Sequence, residues 1–338
     1  MKSVYVIAEA GVNHNGDVEL ARQLIDAAKA AKADAVKFQT FNTEKILTRT
    51  ASMADYQKEN LGSEDTQFQM IKALELSHVH FAELKAHAES IGIDFLSTPD
   101  DEESLDFLAS KLDLPWIKIG SGEVTNLPYL RKIAAKQKRM ILSTGMTTLG
   151  EVERAVRIIR ELNNCELVLL HCTTNYPCPP DEVNLRAMLT LGQAFGTRVG
   201  YSDHTVGIEV PVAAVALGAE IIEKHITLDK QMEGPDHRAS LDPVEFREMV
   251  RQIRSIEVAL GNGVKWPNPS EEKIKHSVRR RVVAARDMTV GTKLTENDLN
   301  YKRANFGIFA EYVDQLIGTT LNKDINEDTP LEWNCIKY

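Results

Sequence analysis

Eight short apolar runs in this chain each end in residues able to bind or react with a polar ligand. In chain order the ends are Glu9; Lys37 and Gln39; Ser97 and Thr98; Lys118, Ser121 and Glu123; Ser143 and Thr144; His171, Thr173 and Thr174; Ser202, Asp203 and His204; and His225 and Thr227. Loops are polar in any protein, so one or two such ends would carry no information. All eight together predict one mouth that binds something highly polar. Lys37 and Lys118 point to an anionic ligand. With Thr98, Ser121 and Ser143 they suit a phosphate or a carboxylate. Two other roles stay open for the lysines: pairing with a nearby carboxylate, Lys118 with Glu123 for example, or Schiff-base chemistry.

His204 and His225 end the seventh and eighth runs. Neighbouring strands lie about 4.8 Å apart, so both imidazoles could reach one ion. Two histidines with oxygen ligands suit Mn²⁺, Fe²⁺, Zn²⁺ or Co²⁺. His14 and His171 read as structural or supporting residues, and His237 is undecided. His78, His80, His87 and His276 read as surface residues.

The runs that must position these groups are Val4–Ala8, Ala35–Phe38, Asp94–Leu96, Trp116–Ile119, Met140–Leu142, Leu167–Leu170, Arg198–Gly200 and Glu220–Glu223. Most are apolar on consecutive residues, the pattern of parallel strands covered on both faces. Segments of helical period separate them: Val18–Lys32, Phe81–Ser90, Glu102–Leu112, Leu127–Lys136, Glu151–Leu162, Leu185–Phe195, Ile208–Leu217 and Pro243–Leu260. Thr148 and Glu151 form a capping-box pattern, and Gly261 closes the last helix. Eight β/α units predict a (β/α)₈ TIM barrel over residues 1–264, with an open doubly wound sheet as the alternative. Residues 42–76 form a long polar connection, read as a lid or substrate loop. Residues 265–277, with Pro267 and Pro269, read as a linker. Residues 278–338 read as a small α+β module with a marginal core of its own. In it, Ala285–Leu294 and Asn322–Leu331 are loosely repeated strand–turn–strand segments, and Tyr312–Ile317 is a short helix before Gly318.

The net charge of −9 and the absence of any long basic run exclude nucleic acid as a partner. Arg279–Arg281 is too short for such a patch. The four cysteines, Cys165, Cys172, Cys178 and Cys335, form no Cys-x-x-Cys pair, which argues against a disulfide framework or a zinc site. Glu9 interrupts the first apolar stretch, and no run approaches the roughly 20 residues of a membrane helix. A cytoplasmic protein is expected.

Taken together, the motifs resemble the sialic acid synthase family, which includes N-acetylneuraminate, legionaminate and pseudaminate synthases. The matching segments are Ala8–Gly16, Val36–Thr40, Lys118–Glu123, Leu142–Met146, His171–Pro177, Gly200–Thr205, Glu223–Thr227 and Gly234–Ser240. Each is weak alone, and their order is specific. The tail resembles the antifreeze-like (SAF) module of that family.

The resemblance implies a transferase that condenses phosphoenolpyruvate with an N-acylated amino sugar, with loss of phosphate by C–O cleavage. It implies His204 and His225 as ligands of a divalent metal, Mn²⁺ first, with Mg²⁺ or Co²⁺ as alternatives. It implies Lys37, Thr98, Lys118, Ser121, Ser143, Thr174 and Ser202 around phosphoenolpyruvate. Glu9, Gln39, Glu123, Tyr176 and Asp236 would contact the sugar or the attacking water. Arg303 would reach the sugar's acyl group from the other chain of a domain-swapped homodimer. N-acetylmannosamine is the first substrate expected and a 2,4-diacetamido sugar the second. Two motifs depart from the family. The run Arg303-Ala-Asn-Phe-Gly307 replaces Pro-Gly-x-Gly after the arginine, and Thr174 with Asn175 stands where the family has an asparagine. A non-enzymatic carbohydrate-binding protein built on the tail is the reading from another class, and the crowded mouth weighs against it.

Overall fold

A computed structural model of the chain describes residues 3–53 and 66–337. It divides into two compact units, Met1–Gly261 and Asn262–Tyr338.

The first unit is a (β/α)₈ barrel. Its strands are β1 (Tyr5–Gly11), β2 (Ala35–Thr40), β3 (Asp94–Pro99), β4 (Trp116–Ile119), β5 (Arg139–Ser143), β6 (Leu167–His171), β7 (Arg198–Asp203) and β8 (Ile221–His225). All neighbours pair in parallel in the order β3-β2-β1-β8-β7-β6-β5-β4, and β3 packs beside β4 to complete the ring. Several strands run one to three residues past their apolar runs. Backbone pairing continues where hydrophobicity stops, because the ladder needs only N–H and C=O groups.

Alternation along each strand separates two kinds of side chain. Ile7, Ala35, Leu96, Ile141, Val168, Leu170 and Ile221 form one cluster, the apolar plug inside the barrel. Val6, Val36, Phe38, Phe95, Ile117, Met140, Leu142, Leu169 and Ile222 belong to the larger core beneath the helices. Two residues beyond the plug on the same strands come Glu9, Lys37, Thr98, Ser143, Glu223 and related side chains. The plug therefore forms a floor on which the polar mouth rests.

The surrounding helices start and stop on local signals. Thr148 and Glu151 make the expected capping box for Leu149–Leu162. Asp242 and Glu245 make another for Pro243–Leu260, which ends at Gly261 with φ of +59°. There a glycine avoids the Cβ penalty of the left-handed region. The helix Glu102–Asp106 continues as a π-helical turn over Phe107–Lys111.

Of the expected lid, residues 54–65 lie outside the described residues. The described parts carry short helices at Thr43–Ile46 and Gln67–Ala73. His78, His80 and His87 are half-buried on the helix His78–Ile91, not fully exposed. His78 stacks on Phe107 with centroids 4.1 Å apart, a contact that polarity alone does not reveal.

In the second unit the residues read as a linker hold a helix, Pro269–Val278, capped reciprocally by Asn268 and Glu271. Its prolines mark the entrance and the first helical turn, where the missing N–H costs nothing. Strands β9 (Arg280–Ala284) and β10 (Leu299–Arg303) form one antiparallel pair, and β11 (Thr320–Leu321) and β12 (Ile336–Lys337) another. The repeated segments are not strand–turn–strand units. They meet through the isolated bridge Met288–Ile325. The Asp324 side chain accepts from the Val290 N–H at 2.7 Å, and Asp287 accepts from the Glu327 N–H at 2.7 Å. The two copies thus grip each other symmetrically, and their aspartates replace strand pairing. Residues Ala310–Gln315 form a 3₁₀ helix where a short helix was expected.

Candidate active site

The barrel mouth encloses a cavity of about 210 Å³ lined by residues from all eight strand ends. Glu9, Lys37, Gln39, Thr98, Lys118, Ser121, Ser143, Tyr176, Ser202, His204 and His225 all line it. The two lysines are buried. Lys37 Nζ lies 2.7 Å from Glu9 Oε2 and 3.8 Å from Glu223 Oε2, and donates to Thr98 Oγ1 at 3.2 Å. Lys118 Nζ lies 3.4 Å from Glu223 Oε1, which also accepts from Ser202 Oγ at 3.0 Å. The expected Lys118–Glu123 pairing does not form. Glu123 leaves the strand in a 3₁₀ turn and accepts from Asn126 instead, at 2.7 Å.

Two ammonium groups therefore face the carboxylates of Glu9 and Glu223, and Asp100 adds a third carboxyl to the same lining. Desolvation raises the Glu9 carboxyl, with Lys37 opposing and Glu223 adding repulsion. Desolvation also acts on Glu223, but Lys118 and Lys37 outweigh it and hold that group below the usual carboxylate range. Desolvation would pull the Lys37 ammonium down, yet Glu223 and Glu9 together raise it. That ammonium is a poor Schiff-base nucleophile, since the amine form is required.

His204 and His225 stand side by side with ring centroids 5.7 Å apart, and the Tyr176 ring packs on His204 at 4.1 Å. Burial lowers His204 to about 4 and takes His225, crowded also by His204, well below its ordinary value. Both imidazoles are neutral at pH 7 and able to offer lone pairs. His204 Nδ1–H donates to the Thr173 carbonyl at 2.6 Å, which leaves Nε2 as the lone-pair nitrogen. His225 Nδ1 is buried without a hydrogen-bond partner among the described residues, and Asp236 Oδ2 lies 3.9 Å away. An orphaned imidazole nitrogen beside a second neutral imidazole fits a divalent cation. No group of three or more His, Cys, Asp or Glu side chains able to hold a metal occurs among the described residues. The protein's own share of a coordination shell would thus come from the two imidazoles.

The NeuB family profile matches residues 24–265, and the SAF domain profile matches residues 279–337. The chain belongs to the NeuB family. It is 46% identical over 337 residues to the N,N'-diacetyllegionaminic acid synthase of Legionella pneumophila, covering 98% of this chain and 94% of that one. The protein of the same name from Campylobacter jejuni is 48% identical over 330 residues, covering 97% and 98%. Among solved structures, the N-acetylneuraminic acid (sialic acid) synthetase of Leptospira borgpetersenii aligns with a TM-score of 0.71 at 36% identity, covering 81% of this chain and 91% of that one.

Other residues expected from the sequence fall at or beyond the rim of this NeuB-family mouth. Thr174 lies behind Gly145, where a Cβ would come 2.3 Å from its hydroxyl. Asp236 is buried behind His225, and desolvation together with Glu9 pushes its carboxyl up to about 7. Arg303 is exposed at the end of β10 in the second unit. His14 and His237 serve the framework: His14 Nδ1 accepts from Gly16 N–H at 3.1 Å, and His237 Nδ1 meets Thr227 at 2.7 Å. His171 holds the Val183 carbonyl at 2.7 Å.

Four lining residues were not singled out as site residues from the sequence: Asp100, Gly120, Cys172 and Glu223. Glu223 was legible, because it lies two residues before His225 and so faces the same side of β8. Asp100 follows Thr98 by two but lies just past the strand, where alternation no longer guides. Cys172 reads as an ordinary buried apolar residue.

No helix among the described residues is long and apolar enough to cross a membrane.

Proposed function

We propose that this chain condenses phosphoenolpyruvate with a 2,4-diacetamido sugar to give an N,N'-diacetyllegionaminate, using water and releasing phosphate. The observation that carries the reading is the convergence of Lys37, Lys118, His204 and His225 on one small cavity. N-acetylmannosamine, ranked first from the sequence, takes second place. The identity of 46% and 48% to two N,N'-diacetyllegionaminic acid synthases over nearly the whole chain supports that order.

In this reading Lys37 and Lys118 hold the phosphate and carboxylate of phosphoenolpyruvate, with Thr98, Ser121, Ser143 and Ser202 donating hydrogen bonds. Ser143 Oγ is buried without a partner among the described residues, so a donor stands ready for a ligand. C3 of the enol attacks the sugar's aldehyde carbon, water adds at C2, and phosphate leaves by C–O cleavage. The two ammonium groups stabilise charge on the departing phosphate. His204 and His225 would hold the divalent cation, Mn²⁺ first, with Mg²⁺ or Co²⁺ as alternatives, which supplies Lewis-acid polarisation when bound. Glu9, whose proton is held more tightly than that of an ordinary carboxyl, and Glu123 at the rim are the groups that move protons to and from water and the sugar oxygen. Gln39, Tyr176 and Asp236 orient the sugar.

The proposal extends to a cytoplasmic homodimer in which the partner subunit's Arg303 meets the acyl group. The test is phosphate release from phosphoenolpyruvate with Mn²⁺ and a panel of amino sugars. Turnover with the diacetamido sugar exceeding that with N-acetylmannosamine is expected. Release from neither sugar, or activity that survives chelator with a borohydride-trappable lysine adduct, would overturn it.

A further inference from the structure

Asp100 lies where two cavities meet. It lines the reaction cavity and also a neighbouring cavity of about 420 Å³ bounded by Lys45, Glu102, Glu103, Tyr129 and Lys132. The charges of that side cavity are already matched: Lys45 pairs with Glu103, and Lys132 pairs with Glu102. The neighbouring Asp101 is also fully engaged, accepting from the N–H groups of Asn42, Glu103 and Ser104 and from the Ser104 hydroxyl. Asp100 differs from all of these. Its backbone N–H is pinned to the Thr40 carbonyl at 3.1 Å, but its carboxylate has no hydrogen bond or ion pair among the described residues.

Asp100 is half-buried, and its open acceptors border both cavities, so a ligand that spans them can donate to it. Phosphoenolpyruvate is an implausible user, since it would meet a third carboxylate beside Glu9 and Glu223. A neutral acylamino sugar is a suitable one, because its N–H and O–H groups donate. A phosphorylated sugar would bring a dianion against Asp100, and the side-cavity lysines already share their charge with Glu103 and Glu102.

Resting on the function proposed above, we infer that Asp100 is a specificity-determining residue: it accepts a hydrogen bond from the distal end of a neutral acylamino sugar and bars a phosphorylated one. Loss of hydration and the nearby Glu123 push this carboxyl up to about 7, so the discrimination sharpens as pH rises above that value.

The test is steady-state phosphate release at about pH 8 by wild type, Asp100→Ala and Asp100→Asn. The sugars are the neutral diacetamido sugar, N-acetylmannosamine and its 6-phosphate. For Asp100→Ala, the KM for the preferred neutral sugar rises at least about tenfold, the KM for phosphoenolpyruvate stays within about twofold and kcat changes little. For the isosteric Asp100→Asn, kcat/KM for the phosphorylated sugar rises at least about tenfold. Should the alanine variant fail to fold, the asparagine variant still decides through that second arm. Unchanged sugar KM and unchanged phosphosugar discrimination overturn the role of Asp100, as does a rise confined to phosphoenolpyruvate. Wild-type inactivity on every sugar would instead overturn the parent reading, and this one with it.

Discussion

Lys224→Met perturbs the barrel where its two histidine-bearing strands are braced. Asp203 and Lys224 are register partners on β7 and β8, and both point away from the cavity. Lys224 Nζ lies 2.5 Å from Asp203 Oδ2, and both side chains are 0% exposed. The lysine also donates to the Thr205 carbonyl, while Asp203 accepts from the Thr205 N–H at 3.1 Å and hydroxyl at 2.9 Å. Methionine keeps the stem but leaves a buried carboxylate without its cation, which costs about 3–5 kcal/mol. For a unit of this size each kcal/mol moves Tm by roughly 2–4 °C, so a fall of roughly 6–20 °C is expected. The double variant Asp203→Asn/Lys224→Met removes both charges and keeps an acceptor for Thr205. It should recover at least about 2 kcal/mol of the loss. Urea unfolding followed by Trp116 fluorescence, with Trp266 and Trp333 replaced by Phe, reads the first unit alone. A single-variant cost under about 1 kcal/mol, or a double variant no better than the single, would refute the reasoning.

Three further outcomes are expected. His225→Ala should lower kcat/KM for phosphate release by at least about 10²-fold while circular dichroism stays native, since several kcal/mol of charge stabilisation disappear; unchanged turnover would remove His225 from the chemistry. Gly145→Ala would place a Cβ 2.3 Å from Thr174 Oγ1, 2.9 Å from Ser121 Oγ and 3.1 Å from Cys172 Sγ. Displaced hydroxyls should raise the KM for phosphoenolpyruvate about tenfold or more, and an unchanged KM would place these groups away from the ligand. Asp100 has a folded pKa of about 7 against an unfolded value near 3.9. A raised carboxyl contributes stability that is full below about pH 4 and is lost as pH rises through about 7. Asp100→Asn should therefore be more stable than wild type at about pH 8, with the difference closing near pH 4; equal urea midpoints at both pH values would contradict this.

How much of this was legible depends on which physical signal each residue leaves in the sequence. Apolar runs located every barrel strand, because parallel strands covered on both faces must be apolar on consecutive residues. Their polar ends identified the lysines and histidines of the mouth. What escaped was pairing across the barrel. Glu123 lies five residues from Lys118 and looks like its natural partner, yet the counter-charge comes from Glu223, more than a hundred residues later. Only closure of the ring brings them together. The helix Pro269–Val278 was hidden by prolines that mark its start. The paired aspartates Asp287 and Asp324 were visible as a repeat, but their backbone hydrogen bonds give no hydrophobic period and so imitated strands.

The same alternation explains why the chemistry and its bracing are interleaved. On β7, Ser202 faces the cavity and Asp203 faces the helices; on β8, Glu223 faces inward, Lys224 outward and His225 inward again. A charged pair on the outer face is placed by the strand period within one residue of the two imidazoles of the mouth. Its partners cannot separate without shifting the backbone that carries those rings. Inside, Glu223 lies 3.4 Å from Lys118 and 3.8 Å from Lys37 and accepts from Ser202 at 3.0 Å. A methionine or leucine at position 223 would take from Lys118 the carboxylate 3.4 Å away, while Lys37 would keep Glu9 at 2.7 Å. Removing one partner of a buried ion pair leaves an uncompensated buried charge, which is strongly destabilising. Glu223 is therefore the cross-barrel counter-charge on which the placement of Lys118 depends, supplied by a strand that only closure of the ring brings near.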